Sequence, residues 1–297
     1  MLAVAVAVAV TGATGAQGGA TARALLAAGH QVRALTRRPD SPAADALRTL
    51  GAEVRHADFD SPPSLEAALA GADSLFAVTT PFGTDTATEV RQGKALVDAA
   101  AQARLGHIVF TSAAHADRST DVPHYRSKHL VEQHLRAAQV PWTVIAPAAF
   151  MDNYASGWTL DGLREGTFAW PMPAHRPLTL IPAADIGAFA ALALQRRDDF
   201  AGQRIDIASD ERTPARMAEI LTTAMGCPVT HQEVPLAYVR SRSADLAAMF
   251  EYFTAVGLDV DVTGLRSDFP EVGWHSFTDW AVAQDWPTLL SHTPTPQ

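Results

Sequence analysis

A glycine-rich stretch, TGATGAQGG at residues 11–19, follows directly on an unbroken apolar run at residues 3–10. Gly12, Gly15 and Gly18 are spaced G-x-x-G-x-x-G, and an alanine-rich helical pattern comes directly after them. Between a strand and a helix, the first glycine allows a tight turn, the second lets the backbone approach a pyrophosphate, and the third lets the helix pack close to the strand. The helix N-terminus adds free N–H groups and the positive end of its dipole. The stretch therefore predicts a nucleotide-binding loop.

Outward from this loop, strand and helix patterns alternate as far as residue 147. The first run is apolar throughout, which is typical of a strand buried on both faces of a parallel sheet. Strands are predicted at 3–10, 31–37, 52–59, 73–80, 106–113 and 141–147. Helices are predicted between them, one ending at Gly29 and the others covering 42–50, 63–70, 86–104 and 123–139. These alternations predict an α/β fold, a Rossmann-type doubly wound parallel sheet.

The regular alternation ends after Pro147. Residues 148–178 show no clean period, and the pattern from residue 213 onward is helical and irregular. Between these segments, LTLIPAADIGAFAALALQ and QRIDIAS predict a strand, a helix and a further strand that return to the first domain. We therefore expect a smaller, mainly helical C-terminal lobe beside the Rossmann domain. The predicted division is 1–150 with returns near 177–208 for the Rossmann domain, 151–176 and 209–290 for the smaller lobe, and 291–297 for a frayed tail.

The bulk composition argues against several classes of protein. With 47% hydrophobic and 19% charged residues among 297, the chain has enough apolar material for a substantial core. Its formal net charge of −9 argues against nucleic acid as a direct partner, since proteins that bind nucleic acid usually present a basic surface. A single cysteine, Cys227, allows no intrachain disulfide, and no apolar run reaches the roughly 18 residues of a membrane span. We therefore expect a soluble, cytoplasmic protein without a membrane partner.

The residues after the second predicted strand indicate which dinucleotide is bound. An acidic side chain at the end of this strand would hold a ribose 2′-hydroxyl. That place is taken by Thr36, which is followed by Arg37 and Arg38. Guanidinium groups match the geometry of a phosphate, so NADP(H) is favoured over NAD(H). The alternative is a solvated basic turn that binds nothing.

Further cofactor contacts are expected at the ends of the next strands, because ligands of such sheets bind at the carboxyl edge. Asp58 and Phe59 end the third predicted strand and are placed to meet the adenine. Thr79, Thr80 and Pro81 end the fourth strand and are expected to lie along the cofactor.

Several segments together resemble the NmrA-like branch of the atypical short-chain dehydrogenase/reductase superfamily. They are VTGATGAQGG, ALTRRP, VRQGKALVDAA, VFTSAA, KHLVEQHLR and APAAFMDN, and the similarity continues through LIPAADIGAFAALAL and SDERTPARMAEIL. The resemblance covers nearly the whole chain and is closest to the NADPH-sensing NmrA-like proteins. Triphenylmethane reductase and type 2 quinone oxidoreductase are the enzymatic relatives. The resemblance implies a protein that binds NADP(H).

The resemblance also implies roles for particular residues in cofactor binding. They are Gly12, Thr14, Gly15, Gln17 and Gly18 in the phosphate loop, Arg37 at the 2′-phosphate, Lys94 near the cofactor, Lys128 at the nicotinamide ribose, and Pro147, Ala148, Ala149 and Phe150 beside the nicotinamide, with Asn153 after them. Two of these residues have ordinary alternatives. Lys94 could be a solvated helix lysine, and Phe150 could be plain core.

The segment HYRSKHLVEQ at residues 124–133 contains a variant of the tyrosine–lysine pair found in many nicotinamide-dependent reductases. The residue four before Lys128, where the tyrosine is usual, is His124, and Tyr125 lies one step nearer. Residues at i and i+4 share a helix face and histidine titrates near neutrality, so His124 can serve as a proton donor. Tyr125 is one residue further along than His124, so it is rotated by about 100° around the helix and points away from that face. Ser112, near the end of the fifth predicted strand, could polarise a substrate oxygen. Lys128, His124, Ser112 and Tyr125 are the candidate catalytic residues, with the proton donor left open.

Aromatic residues suggest a hydrophobic substrate pocket, although such side chains more often pack in cores. The expected pocket residues are Phe82, Asn153, Tyr154, Trp158, Trp170 and Phe250. No spacing of histidine and cysteine predicts a metal site.

Two functions are compatible with these residues. The first is an NADPH-dependent oxidoreductase that reduces a small hydrophobic carbonyl, imine or quinone-like substrate. The polar groups retained at Ser112, His124 and Tyr125 favour this first function. The second is an NADP(H)-binding redox sensor without turnover that acts through a protein partner, which the variant spacing around Lys128 favours. Fold and family alone do not choose between them.

Overall fold

The computed structural model describes residues 7–118 and 121–291. Its strands are β1 (Ala7–Val10), β2 (Gln31–Thr36), β3 (Glu53–His56), β4 (Ser74–Val78), β5 (His107–Thr111), β6 (Trp142–Pro147), β7 (Ala149–Phe150), β8 (Thr167–Trp170), β9 (Leu178–Ile181), β10 (Arg204–Ile207), β11 (Asp210–Arg212) and β12 (Thr230–Glu233). Its α-helices are α1 (Ala16–Ala27), α2 (Pro42–Thr49), α3 (Pro62–Leu69), α4 (Thr86–Gln102), α5 (Pro123–Ala137), α6 (Gly157–Arg164), α7 (Ala183–Gln195), α8 (Arg197–Phe200), α9 (Pro214–Met225), α10 (Leu236–Arg242), α11 (Ala244–Ala255), α12 (Val262–Asp268), α13 (Phe277–Val282) and α14 (Trp286–Ser291). Residues 3–6 of the first predicted strand and 292–297 of the predicted tail lie outside the described ranges.

The described residues form two compact units. The first unit comprises 7–118, 123–147 and 183–206, and the second comprises 121–122, 148–182 and 207–291. None of the helices in the described ranges is both long and apolar enough to cross a membrane.

A seven-stranded sheet carries the first unit, in the order β10-β6-β5-β4-β1-β2-β3. Strands β1 to β6 pair in parallel wherever two of them are neighbours. The chain runs outward from β1 through β2 to β3 and then returns to β4 on the other side of β1. The carboxyl end of β1 is therefore the topological switch point, where sheets of this kind bind their ligands. The predicted Rossmann-type fold class is confirmed.

The central strands are buried because helices cover both faces of the sheet. Leu75–Ala77 and Ile108–Phe110 are almost completely shielded from solvent. One core cluster joins these strands to leucines and valines of α3, α4 and α5. Helices α1 and α7 pack against each other. Continuous apolarity of the strands is what shielding on two faces requires.

A glycine sets how closely α7 approaches α1. A Cβ atom on Gly187 would lie 2.5 Å from the carbonyl carbon of Ala20 and 2.7 Å from the amide nitrogen of Thr21. The two helix backbones therefore touch at this point, and a side chain as small as methyl would force them apart. Because α1 begins at the glycine loop, this contact also fixes the loop relative to the rest of the unit.

The second unit contains two small sheets and several short helices. Strand β9 pairs antiparallel with β11 and parallel with β7, while β12 pairs parallel with β8. The sequence pattern predicted β9 but placed it in the Rossmann domain, since a four-residue apolar run does not specify which sheet it joins. Strand β12 was not predicted because its sequence, THQE, has no apolar alternation.

We expect Gly187→Ala to lower the free energy of unfolding by about 2 kcal/mol, because the clash with Ala20 outweighs the better helix propensity of alanine. Urea denaturation followed by circular dichroism measures this change. Ala184→Ser, an exposed position on the same helix, is the control and should change stability by less than about 0.5 kcal/mol. Equal stability of Gly187→Ala and the parent would contradict the close helix contact.

Candidate functional site

The loop between β1 and α1 has a shape that only glycine permits at two positions. Gly12 has φ 58°, and a Cβ atom there would lie 2.6 Å from Cγ1 of Val78. A Cβ atom on Gly18 would lie 2.4 Å from the carbonyl oxygens of Thr11 and Gly12. The predicted reasons for Gly12 and Gly18, a tight turn and close packing of helix on strand, therefore agree with this geometry. Gly15 has more room, with 3.4 Å between its ideal Cβ position and the Gly12 carbonyl oxygen.

Two threonines hold this loop against the sheet. The Thr11 hydroxyl accepts a hydrogen bond from the Val78 amide at 2.8 Å and lies 3.2 Å from the Phe76 carbonyl oxygen, to which it can donate. The Thr111 hydroxyl, at the end of β5, donates to Oε1 of Gln17 at 2.7 Å. Gln17 is thereby fixed at the carboxyl edge of the sheet, at the position where the resemblance places a phosphate-loop residue.

The loop and helix fit the pyrophosphate of a dinucleotide. Gly12, Thr14 and Gly15 are exposed, so a ligand can approach the backbone of the loop, and the Gly15 N–H is bonded to the Gly12 carbonyl oxygen at 2.9 Å. The N-cap of α1 is Gly15, which has no side chain to occupy the helix terminus, and the first turn of α1 contains no acidic residue. A helix end in this state attracts a phosphate through its free N–H groups and its dipole.

Arginines follow β2 at the same edge of the sheet. Arg37 and Arg38 are both exposed. The nearby carboxylate of Asp60 is bound by Arg91 and Gln92. Hydrogen bonds from Arg91 and Gln92 lower the pKa of Asp60, and the charge of Arg37 adds a smaller effect. Arg37 and Arg38 are thus exposed cations at the place where the sequence predicts a 2′-phosphate, and their contact with one stays a prediction.

Asp58 and Phe59, expected at the adenine, are partly exposed after β3. The Asp58 carboxylate accepts the backbone N–H of Asp60 at 3.0 Å, so it shapes the turn after the strand. Phe59 packs against the core cluster of the first unit. Their contact with an adenine stays a prediction.

A buried ion pair fixes Lys128. Its ammonium donates to Oε1 of Glu89 at 2.8 Å and to the backbone carbonyl of Thr79 at 2.7 Å. Glu89 is completely buried and also accepts hydrogen bonds from the hydroxyls of Thr79, at 2.9 Å, and of Ser127. An ammonium has three N–H donors, and the remaining one has only a long contact of 3.5 Å to the Thr79 hydroxyl oxygen. Lys128 can therefore donate to one further acceptor.

Close packing of α4 and α5 brings the two charges together. A Cβ atom on Gly93 would lie 2.6 Å from Cγ2 of Val131, so α4 can approach α5 only with glycine at this position. The helix starts at the N-cap Asp85, whose carboxylate accepts the Thr88 amide at 2.7 Å. Gly93 is the glycine of the QGK segment quoted for the family resemblance. Lys94, next to it, is half-buried on α4, and its cofactor contact stays a prediction.

The other candidates on α5 lie close to an exposed aromatic ring. His124 and Tyr125 are both buried, with ring centroids 4.8 Å apart. The ring of Phe82 lies 5.8 Å from that of His124 and is 61% exposed. The structure thus brings His124 together with one of the predicted pocket residues. Thr80 and Pro81, expected along the cofactor, directly precede Phe82.

Ser112 belongs to a separate polar network. Its hydroxyl donates to Oε1 of the buried Glu132. Arg204 binds the same carboxylate at 3.1 Å and also binds Asp206 at 2.6 Å. The Ser112 hydrogen is committed to Glu132, so its oxygen is suited to accept a hydrogen bond. This arrangement weakens the case for Ser112 as a proton donor, and a catalytic role there stays a prediction.

Most of the remaining predicted pocket residues gather in one aromatic cluster of the second unit. Trp158 stacks on Trp170 with centroids 5.4 Å apart, and Phe250 meets Trp170 edge-on at 5.1 Å. Tyr154 is completely buried, 4.7 Å from the ring of Trp170, and burial raises the pKa of its hydroxyl. Asn153 is exposed. Tyr154 and Phe250 are thus core residues of this unit, whereas Trp158 is 47% exposed.

The segment expected beside the nicotinamide, residues 147–150, is divided between the two units after Pro147. Pro147 is buried at the end of β6, and Ala149 and Phe150 form β7 of the second unit, where they pair with Leu180 and Ile181. Both are partly exposed. Their contact with a nicotinamide stays a prediction.

A comparison with known families identifies the chain. The model of the NmrA-like family matches residues 5–284. The chain belongs to the NmrA-like family. The predicted resemblance is confirmed.

Several curated relatives are named as reductases or oxidoreductases, whereas others are named as photosystem II assembly factors or only as an NmrA-like family domain-containing protein. The NmrA-like family domain-containing oxidoreductase notA of Aspergillus sp. (strain MF297-2) is 46% identical over 112 residues, which are 35% of this chain and 33% of that protein. The (4-alkanoyl-5-oxo-2,5-dihydrofuran-3-yl)methyl phosphate reductase of Streptomyces griseus is 31% identical over 78% of each chain. The NAD(P)H azoreductase of Xenophilus azovorans is 30% identical over 76% of this chain and 77% of its own. The first three curated relatives are all named as NmrA-like family domain-containing oxidoreductases. Their matches with this chain span only 33%, 46% and 47% of their own lengths.

Solved structures share the fold. Triphenylmethane reductase of Citrobacter sp., complexed with NADP(H), superimposes with a TM-score of 0.76 at 24% identity over 88% of this chain and 94% of its own. NmrA, a negative transcriptional regulator, in complex with NADP, gives a TM-score of 0.77 at 21% identity over 95% and 98%. At these identities the likeness establishes the fold.

Three residues around the site were missed by sequence reasoning. Thr11 and Thr111 hold the loop, and Glu89 neutralises Lys128. A signal for Glu89 was present, because it lies four residues before Gly93 and so on the same, buried face of α4. A carboxylate on a buried helix face needs a partner of opposite charge nearby.

We expect Glu89→Gln to lower the free energy of unfolding by about 3 kcal/mol, because it leaves the buried ammonium of Lys128 without compensation. The double variant Glu89→Gln/Lys128→Met should recover a large part of this loss. Urea denaturation of the two single variants and the double variant measures the coupling. The matched control is Asp45→Asn, which breaks the exposed pair with Arg48 and should cost less than about 1 kcal/mol. If the stability losses of the two single variants simply summed in the double variant, the result would contradict a coupled buried pair of Glu89 and Lys128.

Proposed function

We propose that this chain is an NADPH-dependent oxidoreductase that reduces a small hydrophobic carbonyl, imine or quinone-like compound. The observation that carries the proposal is the position of Lys128. Its ammonium is bound to Thr79 directly after β4, and β4 is the neighbour of β1, after which the glycine loop follows. A fixed cation and a phosphate loop thus lie at the same edge of one sheet, which is where a dinucleotide extends in this fold.

Each part of the cofactor has residues suited to hold it. The loop from Gly12 to Gly18 and the amino end of α1 would bind the pyrophosphate, and Arg37 would bind the 2′-phosphate. The remaining N–H of Lys128 would donate to a hydroxyl of the nicotinamide ribose. When bound, NADPH supplies the hydride, and the protein contributes orientation, exclusion of water and charge stabilisation.

His124 is the best placed proton donor. It lies one helical turn before Lys128 on α5, so both side chains share a face. A protonated ring nitrogen of His124 would donate to the substrate atom that gains negative charge. The exposed ring of Phe82 beside it would contact an apolar substrate. This neighbourhood supports a hydrophobic substrate, and neither nucleic acid nor a membrane is part of the proposal.

The relatives support a reductase. The Streptomyces and Xenophilus proteins are both named as reductases, and each matches more than three quarters of this chain at 30% identity or above. The names differ in substrate, so the substrate proposed for this chain is limited to a chemical class.

Consumption of NADPH tests the proposal, with a panel of quinones, aldehydes, ketones and imines offered to the parent and to His124→Ala. General acid catalysis contributes about 100-fold or more, so His124→Ala should lower kcat about 100-fold on the substrate that is turned over. NADPH affinity should remain, since the cofactor-binding residues are intact.

His134→Ala is the control for this experiment, because His134 is on the same helix but binds Asp98 at the surface. It should keep the kcat of the parent. Tight NADPH binding without turnover of any compound in the panel would contradict the oxidoreductase proposal. Full activity of His124→Ala on the best substrate would remove His124 from the role of donor.

The cofactor preference has its own test. Arg37→Ala should raise the Kd of NADPH about tenfold or more and leave that of NADH nearly unchanged, because a charge-assisted bond to a phosphate is lost. Isothermal titration measures both constants. Arg48→Ala, an exposed arginine of α2 that pairs with Asp45, serves as control. An unchanged preference for NADPH in Arg37→Ala would contradict its assigned role.

A second candidate function is a redox sensor that binds NADP(H) without turnover and acts through a protein partner. The observation that favours it is the commitment of the Ser112 hydroxyl to the protein itself, since this hydroxyl donates to Glu132. The solved regulator NmrA in complex with NADP has the same fold. Binding without turnover across the panel would favour this function.

A further inference from the structure

The side chain of Gln17 lies across the carboxyl edge of the sheet, away from the strand that precedes its own helix. Gln17 is the second residue of α1, the helix that follows β1 and the glycine loop. Its Oε1 is nevertheless bound by the hydroxyl of Thr111, the last residue of β5, and β4 separates β5 from β1. The amide group of Gln17 is therefore held two strands away from β1.

The hydroxyl of Thr111 determines which end of this amide faces the protein. Thr111 is completely buried, and within the described part of the chain its hydroxyl has no hydrogen-bond partner besides Gln17. A flipped amide would present its N–H groups to the hydroxyl and leave the hydroxyl hydrogen without an acceptor, which costs about 1–3 kcal/mol at a buried position. The hydroxyl therefore donates to Oε1, and the amide nitrogen is the end that faces away from Thr111.

The amide nitrogen of Gln17 is open to a ligand. None of the residues that the structure describes accepts a hydrogen bond from it. Gln17 is partly exposed, and its nitrogen is not among the buried polar atoms that lack a hydrogen bond. An unpartnered nitrogen that is not buried is in contact with solvent, so its two N–H groups can donate to a bound molecule.

A further free donor lies near the same point of the sheet edge. Thr111 is the register partner of Val78 in β4, and the carbonyl of the next residue, Thr79, holds the ammonium of Lys128. Lys128 retains one N–H that has only a long contact, and it is expected at the nicotinamide ribose. The Gln17 amide is thus on the nicotinamide side of the glycine loop, since β2 and the arginines after it lie on the other side of β1.

On the basis of the NADPH binding proposed above, we propose that Thr111 is a positioning residue of the cofactor site. It holds the Gln17 amide so that the nitrogen end faces the phosphate on the nicotinamide side of the cofactor. A phosphate offers acceptors only, so the nitrogen end of an amide binds it and the oxygen end repels it. Without the Thr111 hydroxyl the amide is free to rotate, and an orientation that is set before the cofactor binds is lost.

Two ligands separate this role from a general effect on the loop. NADPH contains both phosphates of the pyrophosphate and the nicotinamide half, whereas 2′,5′-ADP contains the adenine half, its 2′-phosphate and only the adenine-side phosphate. Thr111→Val removes the hydroxyl but keeps the shape of the side chain and its suitability for a strand. We expect isothermal titration to show a Kd for NADPH raised about tenfold and a Kd for 2′,5′-ADP within about twofold of the parent value.

Further variants complete this experiment. Thr111→Ser keeps the hydroxyl and should bind NADPH as the parent does. Gln17→Met removes the amide and should weaken NADPH binding about tenfold, and adding Thr111→Val to it should change the Kd little further, because the two residues act through one contact. The matched control is Thr179→Val, since Thr179 is a buried strand threonine of β9 in the second unit. It should leave the affinity for both ligands unchanged.

Failure of the parent to bind NADPH would contradict the proposed function and the role of Thr111 together. If the parent binds NADPH, three results would each overturn the role of Thr111 alone. They are an unchanged NADPH affinity in Thr111→Val, an equal loss of affinity for NADPH and 2′,5′-ADP, which reports a structural role only, and a full further loss when Thr111→Val is added to Gln17→Met.

Discussion

The approach of α1 to β1 leaves no room for a side chain at Gly18, and the geometry of the first unit depends on that contact. Two further glycines of the first unit lie where a helix comes within touching distance of its neighbour. Gly187 lies between α7 and α1, and Gly93 between α4 and α5. Each contact positions an element of the candidate site: the glycine loop, the helix that supports it, and the pair of helices that hold Lys128. Small residues at these points set distances that larger side chains could not.

Charge compensation is the second constraint. The side chain of Lys128 is only 10% exposed, and its burial is compensated because the Glu89 carboxylate lies 2.8 Å from its ammonium. Glu89 in turn accepts hydrogen bonds from the hydroxyls of Thr79 and Ser127. The result is a cation that is fixed in position and nearly neutralised. Such a group orients a hydroxyl by hydrogen bonding and attracts distant anions only weakly. In the proposed complex with NADP(H), attraction of the phosphates would therefore depend on the loop, the α1 terminus and the arginines after β2.

Local patterns predicted much of the first unit. Strand β5 and helix α4 were expected at 106–113 and 86–104 and occur at His107–Thr111 and Thr86–Gln102, because apolar runs and glycine or cap signals are local. The glycine loop was predicted for the same reason. What could not be predicted depends on distant pairing. Glu89 and Lys128 are 39 positions apart, so no local pattern indicates that they pair. An acidic residue near the start of a helix is ordinarily interpreted as a partner of the helix dipole. In the second unit, strand β12 is defined by its neighbour β8, since its own residues are polar.

The Glu89–Lys128 pair also limits how this protein can evolve. Losing either charge alone sacrifices a large part of the roughly 5–15 kcal/mol by which a typical domain is stable. A lineage can therefore exchange the pair for apolar residues only if both changes arise close together or if stabilising substitutions accumulate first. The charge pair thus gives a reason to retain lysine at this position that is separate from the cofactor contact proposed for it. A descendant that no longer performed any reaction would still be expected to keep it.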